Sequence, residues 1–198
     1  VGSGEDTASV QVTGVNAQYA DANELELLCG RFIKDSDGER QLAVVSDLAC
    51  ETLFGRIWDA GYHFDEISWP DDMGYKGTTF FSSNMYREMV QPFHKRAVEW
   101  AHNRGIYARL HSCGNIMSLL PDVMDTGIDC LNPLEVKAGM DAKRIKQEYG
   151  DRLVLHGGIN AVNWSDPEAI LAEIEEKVPV LKENGGYIFG SDHFIPND

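Results

Sequence analysis

From about residue 60 onward the chain alternates short apolar β-type runs with amphipathic helical stretches, and this alternation restricts the fold more than any other feature of the sequence. The runs are "HFDEISWP" (63–70), "IYARLHS" (106–112), "IDCLNPL" (128–134), "RLVLHGG" (152–158) and "GYIFGSD" (186–192). Helical segments of about 10 to 20 residues lie between them, a rhythm that demands a parallel sheet with right-handed crossovers. Ser165 with Glu168 in "SDPE" reads as a capping box, Pro167 falls in the first turn, and Gly185 and Gly186 stop that helix. Asp141 caps "AKRIKQEY" before Gly150. One long helix is expected from Ser83 to Gly105, with a kink at Pro92, and a second kink is expected at Pro179.

Five strands of this kind do not close a parallel barrel, which takes eight and typically about 250 residues. The expectation is therefore an open α/β sheet, or a piece of a barrel whose first strands lie upstream of Val1. Residues 1–60 read differently: a short helix at Glu24 to Phe32, a turn at "DSDGE" and an element starting near "QLAVV". With no internal repeat and no low-complexity linker, the chain divides only into this N-terminal segment, 1–60, and a (β/α) region, 61–198.

Charge and cysteines narrow the function. With 32 Asp+Glu against 17 Lys+Arg, the net charge of -15 opposes binding to nucleic acid or anionic lipid. No run of about 18 apolar residues occurs, and the first ten residues lack a signal-peptide pattern, so a soluble cytoplasmic chain with no membrane partner is expected. The cysteines, at 29, 50, 113 and 130, form no C-x-x-C pair and are expected to be reduced thiols; Cys29, Cys50 and Cys130 read as core.

Chemistry gathers at the strand ends. In "LHSCG", His111 and Cys113 stand two apart, so a strand projects both to one face, and Gly114 lets the backbone turn away. Imidazole and thiolate are zinc ligands, and the carboxyl ends of parallel strands are where α/β active sites sit. A third ligand is expected from another strand end, from Asp192 or His193 in "GSDHF", His156 in "LHGG" or Glu135 in "NPLE". Asn132, Glu135, His156 and Gly158 are substrate-contact candidates from the same ends, although Gly157 and Gly158 equally suit close backbone packing. In "DDMGYKG", Asp72 and Tyr75 are candidates for acid, base or substrate-orienting roles, against a plain solvated turn. The absence of G-x-x-x-x-G-K-[ST], G-x-S-x-G and G-x-G-x-x-G removes P-loop, hydrolase-elbow and simple Rossmann readings.

In their order and spacing, "DDMGYKGTTFFS", "LHSCGNI", "IDCLNPLEV" with "AGMD", "YGDRLVLHGGIN" and "GGYIFGSDHFIP" resemble the C-terminal part of the uroporphyrinogen decarboxylase superfamily. The resemblance covers roughly residues 60–198 and implies a (β/α)8 TIM barrel, here incomplete, with these strands as about the fourth to eighth. Two chemistries occur in that superfamily. Corrinoid-linked methyltransferases bind zinc through an H-x-C pair and a later cysteine and use it to activate a thiol. Onto them His111 and Cys113 map directly, while the later cysteine falls on Ser191 or Asp192, leaving Asp192 or His193 to replace it. True decarboxylases act on uroporphyrinogen in tetrapyrrole and heme biosynthesis without metal or cofactor. Their G-N-L-D-P is "GGINA" here and their late G-H-G is "SDH".

The methyltransferase-like branch is the expected one, with zinc as cofactor and a small-molecule substrate and a corrinoid protein as partners. Metal-free decarboxylation, with Asp72 and Tyr75 near the pyrrole, is the alternative. A non-catalytic barrel fragment, pairing through its sheet edges into a homodimer, is the third reading.

Overall fold

The computed structural model describes residues 54–194; the helix expected at Glu24 to Phe32, the "DSDGE" turn, Cys29 and Cys50 lie outside them. After a short helix α1 (Gly55–Asp59) comes β1 (Glu66–Pro70), followed by a hairpin of β2 (Gly74–Tyr75) and β3 (Thr78–Thr79). Then follow α2 (Ser83–Met89), α3 (Gln91–His102), β4 (Tyr107–His111), α4 (Leu120–Met124), β5 (Cys130–Asn132), α5 (Ala142–Tyr149), β6 (Val154–His156), α6 (Pro167–Leu181) and β7 (Tyr187–Ile188). The order β1-β4-β5-β6-β7 forms one sheet in which every pairing is parallel, as the alternation of runs and helices requires.

The pleat sorts the strand residues into two faces. Trp69 pairs with Leu110, Leu110 with Leu131, Leu131 with Leu155 and Leu155 with Tyr187, so one apolar row crosses the whole sheet. Leu110, Leu131 and Leu155 are at most 1% exposed and pack with Val98, Trp100 and Ala101 of α3, Leu120 and Val123 of α4, Ile145 of α5 and Leu181 of α6. The next row faces the other way: Pro70 pairs with His111, His111 with Asn132 and His156 with Ile188. Helices thus cover one face, and the polar row lies at the carboxyl edge of the opposite face, where a barrel has its interior.

Three local expectations shift. The helix expected over Ser83 to Gly105 is two helices interrupted at Val90, because Pro92 has no N–H to give and is accommodated in the first turn of α3. The cap of α6 is Asp166, whose carboxylate accepts the N–H groups of Glu168 and Ala169 at 3.0 and 3.1 Å. Ser165 closes the preceding 3₁₀ turn instead, donating to Val162 O, since a proline at N1 makes the residue before it the cap. Part of "DDMGYKG" forms the β2–β3 hairpin with Gly77 at its turn. Asp141 caps α5 as expected, accepting the Arg144 N–H at 3.0 Å.

The hairpin lies directly on the turn after β4. A Cβ placed on Gly114, whose φ is +79°, would fall 2.1 Å from the Gly74 carbonyl carbon, and one placed on Gly74 would fall 2.6 Å from Asn115 N. Gly77 also has positive φ, but nothing lies within 4 Å of the same position. Gly114→Ala is therefore expected to cost about 3 kcal/mol or more, because two backbones must separate, whereas Gly77→Ala costs about 1–2 kcal/mol of conformational strain. Denaturant unfolding of the two variants checks this; equal losses would contradict the packing.

Candidate active site

The arm beyond β4 is built from backbone amides held by neighbouring strand ends. The Cys113 N–H donates to Asp72 Oδ1 at 2.8 Å, the Gly114 N–H to Glu135 Oε2 at 2.7 Å, and the Asn115 N–H to Tyr75 O at 3.0 Å. Ser112 is bound on both sides, its N–H donating to Asn132 O and its Oγ accepting from the Met73 N–H. Three consecutive amides and the preceding residue are thus fixed by the ends of β1, the hairpin and β5. The pleat of β4 fixes the direction of His111, its last residue; beyond it, these hydrogen bonds fix where the Cys113 sulfur sits.

Around that sulfur, donor atoms converge from three places in the chain. His111 Nε2 lies 3.4 Å from Cys113 Sγ and 3.9 Å from Asp72 Oδ1, and His193 Nε2 lies 3.9 Å from the sulfur. Asp72, His111 and Cys113 form one group whose ligand atoms all lie within 4.8 Å of one another; Cys113, Glu135 and His193 form another. Cys113 belongs to both. The tautomer of His111 follows from its neighbour: Nδ1 lies 2.7 Å from Asn132 Oδ1, while the Asn132 amide nitrogen donates to His156 O at 3.3 Å. Nδ1 therefore carries the proton, and the lone pair of Nε2 faces the sulfur, as in a metal-ligating histidine oriented by an amide oxygen.

Asp192 and His193 take different places. Asp192 is 2% exposed and its two carboxylate oxygens accept the N–H groups of Ala161 (2.8 Å) and Val136 (2.9 Å), bracing the loops after β5 and β6. His193 brings Nε2 to Cys113, and its Nδ1 is buried with no hydrogen-bond partner, 3.8 Å from Asp192 Oδ1. Of the substrate-contact candidates, Asn132 orients His111, Glu135 is buried against the arm, and His156 stands beside the same row. Gly158 is packed, donating to Pro133 O at 2.9 Å and accepting from Lys177 Nζ at 3.1 Å. Tyr75 is 61% exposed, its ring beside Phe80.

Two further groups were not singled out by motif. Tyr86 donates to His94 Nδ1 (2.9 Å) and His94 Nε2 donates to Asp71 (2.9 Å), tying the end of β1 to α2 and α3. Burial first, then the charges of Asp71 and Asp122, push the Tyr86 hydroxyl far above the usual phenol range, so it stays a neutral donor. Arg109, one pleat below His111, meets Glu66 at 2.6 Å and His156 Nδ1 at 3.0 Å. Position gave the signal for Arg109, since it stands two before His111 on the same strand.

The field at the sulfur is negative. Burial, followed by Asp72, Glu135 and Asp192, pushes the Cys113 thiol up to about 11, so without a cation it is protonated at neutral pH. The same carboxylates favour a cation, whose charge would reverse the shift. In metal-free folded protein at pH 8, alkylation of Cys113 by iodoacetamide is expected to be roughly 10²-fold slower than for an ordinary thiol. The rate should rise about tenfold per pH unit until about pH 11, as peptide-level mass spectrometry would show. A plateau below pH 9 would contradict the negative field.

Residues 64–198, more than half of the chain, match the family model described as uroporphyrinogen decarboxylase (URO-D). No curated protein matches the chain. The family's fold is a (β/α)8 barrel, and the five parallel strands described here form a partial barrel of that kind. With the motif order, the sheet topology and the family match in agreement, the chain belongs to the uroporphyrinogen decarboxylase family.

Proposed function

We propose that this chain carries the zinc-binding, thiol-activating part of a methyl-transfer enzyme. The observation that supports the reading is the convergence of His111 Nε2 and His193 Nε2 on Cys113 Sγ, at 3.4 and 3.9 Å, from two separate strand ends. Two imidazoles and one thiolate are a donor set suited to zinc with a position left for substrate. The His111 tautomer adds to the fit. His111, Cys113 and His193 would hold the ion by drawing together two groups that share the Cys113 sulfur, one with Asp72 and His111 and the other with Glu135 and His193. Bound there, zinc supplies a Lewis acid that lowers the pKa of a coordinated substrate thiol.

The chain's own residues supply position and charge. Asn132 keeps the lone pair of His111 directed at the cleft, and Asp72 and Glu135 hold the arm from two sides. Asp192 fixes the loop that carries His193. The reaction we assign is transfer of a methyl group from a methylcorrinoid protein to the sulfur of a small thiol, the thiol proton passing to solvent.

Metal-free decarboxylation of uroporphyrinogen has less support. Eight carboxylates call for several arginines, yet among the described strand residues Arg109 is the only Lys or Arg, and Glu66 already pairs with it.

Metal analysis by mass spectrometry, on protein purified without added metal, tests the proposal. Close to one zinc per chain is expected in the wild type, falling to a small fraction in Cys113→Ser and in His193→Ala. A folded wild-type chain without zinc, and unable to take it up, would overturn the reading.

A further inference from the structure

His156 occupies the same pleat level as His111, two strands away across Asn132, and its surroundings give it the opposite tautomer. Arg109 Nη1 lies 3.0 Å from His156 Nδ1. Arginine has no acceptor and keeps its proton throughout the physiological range, so in this contact Nδ1 must accept. The imidazole is then neutral, with its single proton on Nε2. Glu66, 2.6 Å from Arg109 Nη2, fixes the guanidinium from the other side. The charged groups that bear on the ring agree: burial first, then Arg109 and His111, hold its pKa below the usual imidazole range. Tyr187, from β7, spends its hydroxyl on Gly157 O and does not compete for the ring.

The Nε2 edge lies beside Gly190, where a Cβ would fall 3.6 Å from Nε2 and 3.7 Å from Cδ2. No hydrogen bond to Nε2 exists among the described residues, and the atom is not sealed from solvent, so its partner is water or a ligand. A methyl or larger group at position 190 would crowd that edge.

We infer that Arg109 fixes His156 as a neutral Nε2–H donor, and that this donor takes an acceptor oxygen of the substrate, such as a carboxylate or carbonyl. The inference rests on the proposed function for its ligand: a thiol that also carries an oxygen acceptor. It gives three histidines at one cleft separate roles. His111 offers a lone pair and His193 turns Nε2 to the same sulfur, whereas His156, with Nδ1 occupied and Nε2 protonated, serves as neither metal ligand nor base. Arg109 is a positioning residue that acts through His156.

Long-range ¹H–¹⁵N correlation of the ¹⁵N-histidine-labelled full chain at pH 7 reads the tautomer directly, with the His156 signals assigned by their loss in His156→Gln. Expected are a pure neutral Nε2–H pattern in the wild type, a mixture with the Nδ1–H form in Arg109→Met, and recovery in Arg109→Lys. An Nδ1–H or doubly protonated ring in the wild type would overturn the inference, whatever the variants do.

Titration of zinc-supplemented protein with 3-mercaptopropionate and 1-propanethiol reads the ligand. The His156 Nε2–H signal should move with the carboxylated thiol alone, and His156→Phe should weaken binding of that thiol about tenfold relative to His156→Gln. Equal responses to both thiols, or none to either, would overturn the assignment of an oxygen acceptor. Because the tautomer measurement needs no metal, a chain without zinc that shows the Nε2–H ring would sink the methyl-transfer reading and leave the Arg109–His156 assignment standing.

Discussion

Two carboxylates hold consecutive backbone amides just beyond β4: Asp72 the N–H of Cys113, and Glu135 that of Gly114. The rest of the site depends on this clamp. Charge-assisted hydrogen bonds of this kind are stronger than neutral ones, and here they fix the chain where regular strand pairing has ended. They also place negative charge beside a thiol, so the groups that set the geometry also set the electrostatics. Glycine at 74 and 114 is the steric condition for the clamp, because the hairpin and the arm approach more closely than any Cβ would permit.

From that point the sheet distributes roles by register. One row of side chains, Trp69, Leu110, Leu131, Leu155 and Tyr187, secures the strands to the helices. The next row carries His111, Asn132 and His156 on the opposite face, linked by the Asn132 amide. Shifting any strand by one residue would exchange the rows and bury the imidazoles among leucines, so the hydrophobic core enforces the polar layer. Arg109, a pleat lower, reaches up to His156 from within the same face.

Much of this was legible in the sequence. Alternation of apolar runs and helices gives the parallel sheet, and the strand pattern gives the direction of His111, because both follow from local periodicity; Cys113, two residues on, is placed by the Asp72 carboxylate from another strand end. That Asp192 is occupied by the backbone amides of Val136 and Ala161 was not legible, because both are distant in the chain. The tautomers of His111 and His156 were hidden for the same reason: each is set by a side chain on another strand. The interruption at Val90 was hidden by a pattern that stays helical on both sides of it, and the cap at Asp166 by a capping-box match one residue earlier.

Whether one sulfur and two imidazoles converge to hold a metal ion is read by X-ray absorption at the zinc edge of the zinc-supplemented full chain. A zinc ion held there should show one sulfur scatterer at about 2.3 Å and imidazole nitrogens at about 2.0–2.1 Å, with the sulfur shell lost in Cys113→Ser. A first shell made only of oxygen and nitrogen in the wild type would contradict it, since Cys113 would then have no part in metal binding.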